Sequence, residues 1–387
     1  MDFEYLSPLD ENLVEEIRAT EAQDLGKQVT LHTQRAGVPD LDNIKIAVVG
    51  VKETRLAGAG EDEYINFNKI RKDFYSLFPG NWHLKVADLG DIEKGESVED
   101  TYYALQNLVS ELLKEGVIPV ILGGSQDLIY AQYRAYDSFA QMVNLVNIDS
   151  RFDLGDAEKP IGGNSYVGKI VVNKPYNLFN YSAVGYQTYF NSQDEIELMD
   201  RLFFDAYRLG EVSGNIKIVE PVMRDANLVG IDIGAINASA IGGNFHSSPN
   251  GFDGKEICAL ARYAGISDKV TSLGIYEYHS GYPKAGNMLI AQMIWYFIEG
   301  VNYRTNENTI SAKKEFIKYQ VPIDDEVLVF FKSPVSGRWW IEIPFISNSN
   351  TKLKRHTLLP CNHEDYLEAC NQVIPERWYK TKRKNEL

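Results

Sequence analysis

The residues best equipped for chemistry lie in one short stretch, Met142 to Asp153, which reads MVNLVNIDSRFD. Asp149 and Asp153 follow the apolar and β-branched run Val143 to Ile148, and Arg151 stands midway between them. Carboxylates at this spacing can hold a cation, exchange a proton, or accept the fork of a guanidinium. Three other stretches share the pattern of an apolar run that breaks into polar residues: LGGSQD at Leu122 to Asp127, VGIDIGAIN at Val229 to Asn237, and GIYEYH at Gly274 to His279. They add Gln126, Asp232 and Glu277 to the candidate set.

An apolar run this short, closed by polar residues, suits a strand buried on both faces of a parallel sheet, whose carboxyl end is where ligands bind. The surrounding chain alternates as such a sheet requires. Strands are expected at Ile44 to Val51, His83 to Leu89, Val117 to Leu122, Val143 to Ile148, Tyr181 to Tyr186, Leu228 to Ile233 and Val270 to Glu277. Helices are expected near Ile65 to Leu77, Val98 to Leu113, after Ser125, over Asp194 to Leu209, over Gly254 to Tyr263, and around Met288 to Ile298. In the second of these Ala104, Leu105, Leu108, Val109, Leu112 and Leu113 define one amphipathic face. Alternation of this kind predicts a mostly parallel central sheet with helices on both faces.

The organisation expected is an N-terminal extension over residues 1–40, an α/β domain over 41–305, and a C-terminal extension over 306–387. In the last, EVLVFFK and RWWIEIPF flank SPVSG, a hairpin signal. A helix near Glu364 to Val373 and a basic, solvated tail follow it. Trp339 and Trp340 read as cover for the domain's own surface in preference to a partner-binding ridge.

A formal net charge of −15 and a pI near 5.0 argue against a nucleic-acid surface, which needs a positive field. Cys258, Cys361 and Cys370 show no CxxC spacing and suggest a reducing compartment. The N-terminus lacks the pattern of a secretory signal, and no apolar run reaches the length of a membrane span. A cytoplasmic location is the expectation. No G-x-S-x-G, H-E-x-x-H, Walker A or G-x-G-x-x-G pattern supports a serine hydrolase, zincin or nucleotide-binding reading.

Taken together and in order, LGGSQD, NIDSRFD, GIDIGAIN, SSPNGF at Ser247 to Phe252 and YEYH resemble the landmarks of the ureohydrolase family: arginases, agmatinases and formimidoylglutamases. The resemblance covers roughly residues 40 to 305. It implies a three-layer arginase-like α/β fold, and a site where two manganese ions bridged by hydroxide hydrolyse a guanidino or formimino C–N bond. The family motifs are GGDHS, DAHxD and SxDxDxxDP. Against them Ser125, Gln126 and Asp127 replace the aspartate, the metal-binding histidine and the serine of the first. Arg151 replaces the histidine of the second, and Gly234, Asn237 and Ala238 depart from the third. Of six ligand positions, Asp149, Asp153 and Asp232 keep the family residue. Glu277 falls where the family contacts substrate guanidinium, and Asn164 and Ser165 resemble its substrate loop, with Tyr166 and Val167 where a histidine is usual.

Two manganese ions need several anionic oxygens and imidazoles to offset their mutual repulsion. With only three acids left, no metal is expected, and Arg151 is expected to pair with some combination of Asp149, Asp153 and Asp232. The function that follows is a non-enzymatic binding or scaffolding subunit, with a protein partner or self-association and a small cationic ligand in the old cleft. The alternative is a manganese-dependent hydrolase of an amidine or formimino C–N bond.

Overall fold

The computed structural model describes residues 4–57, 64–139, 141–243, 248–307, 315–344 and 358–386. Ten strands build the main sheet: β1 (Leu6–Ser7), β2 (Thr30–Leu31), β3 (Ile44–Val51), β4 (Lys85–Ile92), β5 (Ile118–Gly123), β6 (Val143–Ile148), β7 (Leu178–Tyr186), β8 (Asp205–Arg208), β9 (Leu228–Asp232) and β10 (Ser272–Tyr276). Their spatial order is β1-β4-β3-β5-β10-β9-β6-β7-β8, with β2 also on β4. Every pairing is parallel except that of β1 with β4. Residues before position 40 therefore extend the sheet edge through β1 and β2.

The two faces of the sheet follow from the alternation of side chains along a strand. On β3, Ile46 and Val48 enter one core, with the helices Asn68–Tyr75, Gly254–Ile266 and Lys284–Asn302. Ala47 and Val49 enter the other, with Val98–Lys114 and Leu128–Arg134. Both sides of the central strands are buried, which is why they read as continuous apolar runs. Helix Val98–Lys114 starts at a capping box formed by Ser97 and Asp100, and Gly254–Ile266 at one formed by Asp253 and Glu256. Where the latter crosses Lys284–Asn302, a Cβ on Gly265 would stand 2.1 Å from the carbonyl oxygen of Phe297, so only glycine allows that approach. The apolar stretch around Met288 is the buried part of this crossing helix, and among the described residues no helix is long and apolar enough to span a membrane.

A second, four-stranded sheet joins β11 (Ile317–Ile323), β12 (Glu326–Lys332), β13 (Trp339–Glu342) and β14 (Leu358–Cys361) in that order, all antiparallel. The expected hairpin is β12 and β13, although Phe345 lies outside the described residues. Trp339 and Trp340 are buried, and Arg224 fixes the sheet to the main domain by donating to the carbonyls of Trp339 and Cys361 at 3.0 and 2.9 Å.

Two expected elements differ. The helix predicted over Asp194 to Leu209 is split into helix Gln193–Arg201, strand β8 and helix Leu209–Gly214. Phe203 takes a left-handed φ of 54°, which ends the first helix and turns the chain into β8 beside β7. The basic tail forms helix Glu376–Glu386, which is docked: Trp378 is buried, Lys380 lies 3.8 Å from Asp205, and Lys384 donates to Asn180. Acidic and polar groups on the β7–β8 edge supply the partners that composition alone could not reveal.

Candidate functional site

Strands β5, β10, β9 and β6 are neighbours, and their carboxyl ends lie level: Tyr276 sits opposite Asp232, and Ile148 opposite Ile231. The residues just beyond them therefore meet. Gln126, Arg151, Asp153, Asn164, Asp232 and Glu277 line one cleft of about 460 Å³, together with Phe190, Gly234, His279 and Tyr282. Asp149 is buried beneath it. Ser165 does not line the cleft; its hydroxyl accepts from the Gly162 amide at 3.0 Å and so shapes the loop that carries Asn164. His246 and Ser247 lie outside the described residues.

The backbone is bent hard at two of these positions. Asp153 has φ of 51° and Glu277 has φ of 59°, a region in which a side chain costs free energy and which clusters at sites needing a fixed geometry. Glu277 is pinned twice. Its amide donates to the Gly124 carbonyl at 2.6 Å, and its Oε1 accepts from the Gln126 amide at 2.8 Å. Strand ends β5 and β10 are thus tied together directly above their last paired residues.

The three aspartates form one hydrogen-bonded group, Asp149 with Asp153 and Asp232 with Asp149. Burial is the first cause that raises each of them, and mutual repulsion adds to it. Asp153 is pushed up to about 8, and Asp149 and Asp232 also lie well above the usual carboxylate range. Main-chain donors work in the other direction. The Arg151 amide donates to Asp149 Oδ1 at 2.9 Å, and the Gly234 amide to Asp232 Oδ1 at 2.6 Å. Gln126 Nε2 donates to Asn147 Oδ1 at 3.2 Å and lies 3.5 Å from Asp149 Oδ2, which also accepts from Asn147 Nδ2 at 3.0 Å.

Arg151 corrects the expectation drawn from its charge. Among the described residues its guanidinium makes no ion pair with Asp149, Asp153 or Asp232. It is exposed, donates to the Phe190 carbonyl at 3.0 Å, and lies 4.8 Å from the centre of the Phe190 ring. The physical reason is desolvation: sinking a guanidinium beside buried carboxyls sacrifices its hydration, whereas at the rim it keeps water and gains a carbonyl and an aromatic face. Its field still lowers Asp153 and Asp232, but it does not fill the space between them.

Asn147, Phe190, His279 and Tyr282 were not among the residues singled out, and Tyr166 was named only as standing where the family has a histidine. Asn147 had a signal, since it lies two residues before Asp149 on β6 and therefore on the same face. Tyr166 Oη accepts from Asn147 Nδ2 at 2.7 Å and closes the floor of the site. Phe190 had none, because it arrives from a loop after β7.

An arginase-family model matches residues 63–299 of the chain. Formimidoylglutamase from Geobacillus sp. (strain WCH70) is 24% identical over 212 residues, 51% of this chain and 64% of that protein. The Hahella chejuensis formimidoylglutamase is 30% identical over 134 residues, 31% of this chain and 40% of that protein. The matches thus span less than two thirds of the length of these relatives. The formiminoglutamase of Trypanosoma cruzi, solved with manganese, superposes with a TM-score of 0.61 at 17% identity, over 68% of this chain and 96% of that one. The agmatine ureohydrolase of Thermoplasma volcanium gives 0.58 at 18% identity, over 75% and 98%. These likenesses establish a three-layer arginase-like α/β fold with a mostly parallel sheet. With the family match covering well over half of the sequence, on strands whose carboxyl ends converge as described, the chain belongs to the arginase family.

Proposed function

We propose that this chain is a catalytically degenerate ureohydrolase-like protein that serves as a non-enzymatic binding or scaffolding subunit. The observation that carries the reading is what stands where the family's ligands would be. Gly234 offers Asp232 a main-chain donor in place of a second carboxylate, and the Gln126 amide nitrogen is turned toward Asp149. Donors aimed at Asp232 Oδ1 and Asp149 Oδ2 compete for lone pairs that a dication would use. The set that remains, three carboxyls and one amide, lacks the imidazoles and acid count that hold two manganese ions close together. Among the described residues, no group of three His, Cys, Asp or Glu side chains is arranged to hold a metal ion. The residues present do not fit the family's two-metal centre, and no hydrolytic step is derived through it.

A binding role is consistent with the acidic floor of the cleft. A small cationic occupant, such as an amine or guanidinium, would displace the protons that Asp153 and Asp232 hold and pair with their carboxylates, and a protein partner or second copy would engage other surfaces.

One observation favours a second reading, a hydrolase of a formimino or amidine bond with altered metal use. Asp153 Oδ2 and Gln126 Oε1 are buried without a hydrogen-bond partner among the described residues. Hard cations seek unpaired oxygens of this kind. Elemental analysis of the purified chain, with assays of urea and formamide release in excess manganese, separates the two. The degenerate reading expects no stoichiometric manganese and no release above background. Two manganese ions per chain together with turnover would overturn it.

A further inference from the structure

We infer that the cavity between the main domain and the C-terminal sheet binds a small organic anion, a carboxylate or a phosphate ester. This cavity of about 610 Å³ lies away from the cleft and shares no residue with it. Its size falls among small-molecule sites, which favour junctions between structural units.

The guanidinium groups in its lining select the ligand. Glu220 Oε1 lies 3.2 Å from Arg224 Nε and 3.4 Å from Arg338 Nε, so one carboxylate faces two guanidinium groups. Arg224 is committed, since both of its terminal nitrogens donate to main-chain carbonyls of the second sheet. Arg338 is not. Its side chain is only 15% exposed, and among the described residues its one ion pair, with Glu220, is met through Nε, while the Glu307 charge acts on it from further away. Arg377 repeats the arrangement elsewhere in the lining. Its Nε donates to Asp365 Oδ1 at 3.1 Å, and its side chain is 17% exposed.

In both arginines a carboxylate holds the guanidinium by Nε, and the two terminal nitrogens have no hydrogen bond among the described residues. A fork oriented in this way matches a planar carboxylate or a phosphate. Six acids and five Lys or Arg side chains line the cavity, so the orientation of these two forks, and not net charge, selects an anion. Lys380 lies 2.8 Å from Glu376 and 3.8 Å from Asp205, and Glu364 and Glu368 are exposed. Tyr207 and Tyr263 line the same cavity as half-buried rings, so an anion joined to a planar group fits better than a bare ion.

The test is calorimetric titration of the full chain with benzoate, phenyl phosphate and benzamide, the last a neutral match for benzoate. We expect saturable one-to-one binding of at least one of the two anions, with benzamide at least ~10-fold weaker, a difference of about 1.4 kcal/mol. The tighter anion identifies the headgroup. Arg338→Gln should weaken that anion by at least ~10-fold, and Glu220→Gln, which removes a negative charge from beside Arg338, should strengthen it. Circular dichroism confirms that each variant is folded, and the opposite signs keep the test decisive if one variant is not. Failure of both anions to saturate below about 10 mM, equal binding of benzamide, or an unchanged affinity in folded Arg338→Gln would overturn the inference.

Discussion

Replacing Asp153 by asparagine should stabilise the metal-free protein at neutral pH, although it removes a buried carboxyl group from the candidate site. Asp153 is raised from an ordinary 3.8 to about 8, first by burial and then by repulsion from Asp232, against relief from Asp149 and Arg151. Between those values the folded chain keeps a proton that the unfolded chain releases. The stability is then fully present below the unfolded value, falls as pH rises toward about 8, and changes no further above it. At pH 7 the interval above 3.8 corresponds to a cost of about 4 kcal/mol at about 1.4 kcal/mol per unit. Sharing of protons among three carboxyls, and the hydrogen bond that asparagine makes less well, reduce the expected gain to roughly 1–3 kcal/mol.

Urea unfolding followed by tryptophan fluorescence, in chelator at pH 5 and pH 7, measures this directly. The gain of Asp153→Asn should be larger at pH 7 than at pH 5, and the wild type should lose stability between them. If a bound cation compensates the three acids, the sign reverses: the variant is less stable at pH 7 in untreated buffer, and chelator removes the difference. That result would refute the idea that the carboxyls are held by shared protons, and with it the case against a metal.

Further outcomes follow from named contacts. Arg71 is almost wholly buried and lies 2.8 Å from Asp88 and 2.7 Å from Asp91, so Arg71→Met strands two acids and should cost about 3–5 kcal/mol in urea unfolding. Arg224→Met removes two charged hydrogen bonds that tether the second sheet, with a loss of about 3 kcal/mol, and hydrogen exchange should show β13 and β14 opening before the main sheet. Combining Gln126→His, Arg151→His, Gly234→Asp and Asn237→Asp should confer manganese binding measurable by elemental analysis. Gly234→Asp alone should destabilise, because its Cβ would stand 3.1 Å from Asp232 Oδ1 and bring a further acid.

Much of the sheet was legible because strands buried on both faces leave unmistakable apolar runs, as Val143–Ile148 does with every residue buried. Its functional end was legible because parallel strands place their exits on one side. Strand β8 was not, since its four residues, DAYR, three half-buried and Arg208 exposed, carry no apolar run and depend on β7 for their shape. Glu277 and Asp153 were found as acids, but their left-handed backbone could not be read from their identities. Arg151 shows the limit most clearly. Residue type says that it is cationic, whereas its position depends on Phe190, 39 residues away along the chain, which offers a carbonyl and a ring at the rim.

The acids that remain share a property that the replaced positions lack, and it bears on why a cleft can lose chemistry without losing shape. Asp149 accepts the amide of the residue two positions on, and Asp232 does the same, so each carboxylate closes a turn that carries the chain off its strand. Asp153 occupies a left-handed conformation that aspartate and asparagine tolerate better than most side chains, and its carbonyl accepts the Val167 amide at 3.1 Å. Each therefore has local structural work independent of any metal. Gln126, Arg151 and Gly234 fill positions at which the main chain does the bonding, through Gln126 to Glu277, through Arg151 to Asp149 and through Gly234 to Asp232. Main-chain donors do not depend on the side chain they belong to, so these bonds at the strand exits do not rest on the side chains at the three positions. On this account Asp149→Asn, which can still accept from Arg151, should unfold as the wild type does at pH 5, whereas Asp149→Leu should open the loop after β6.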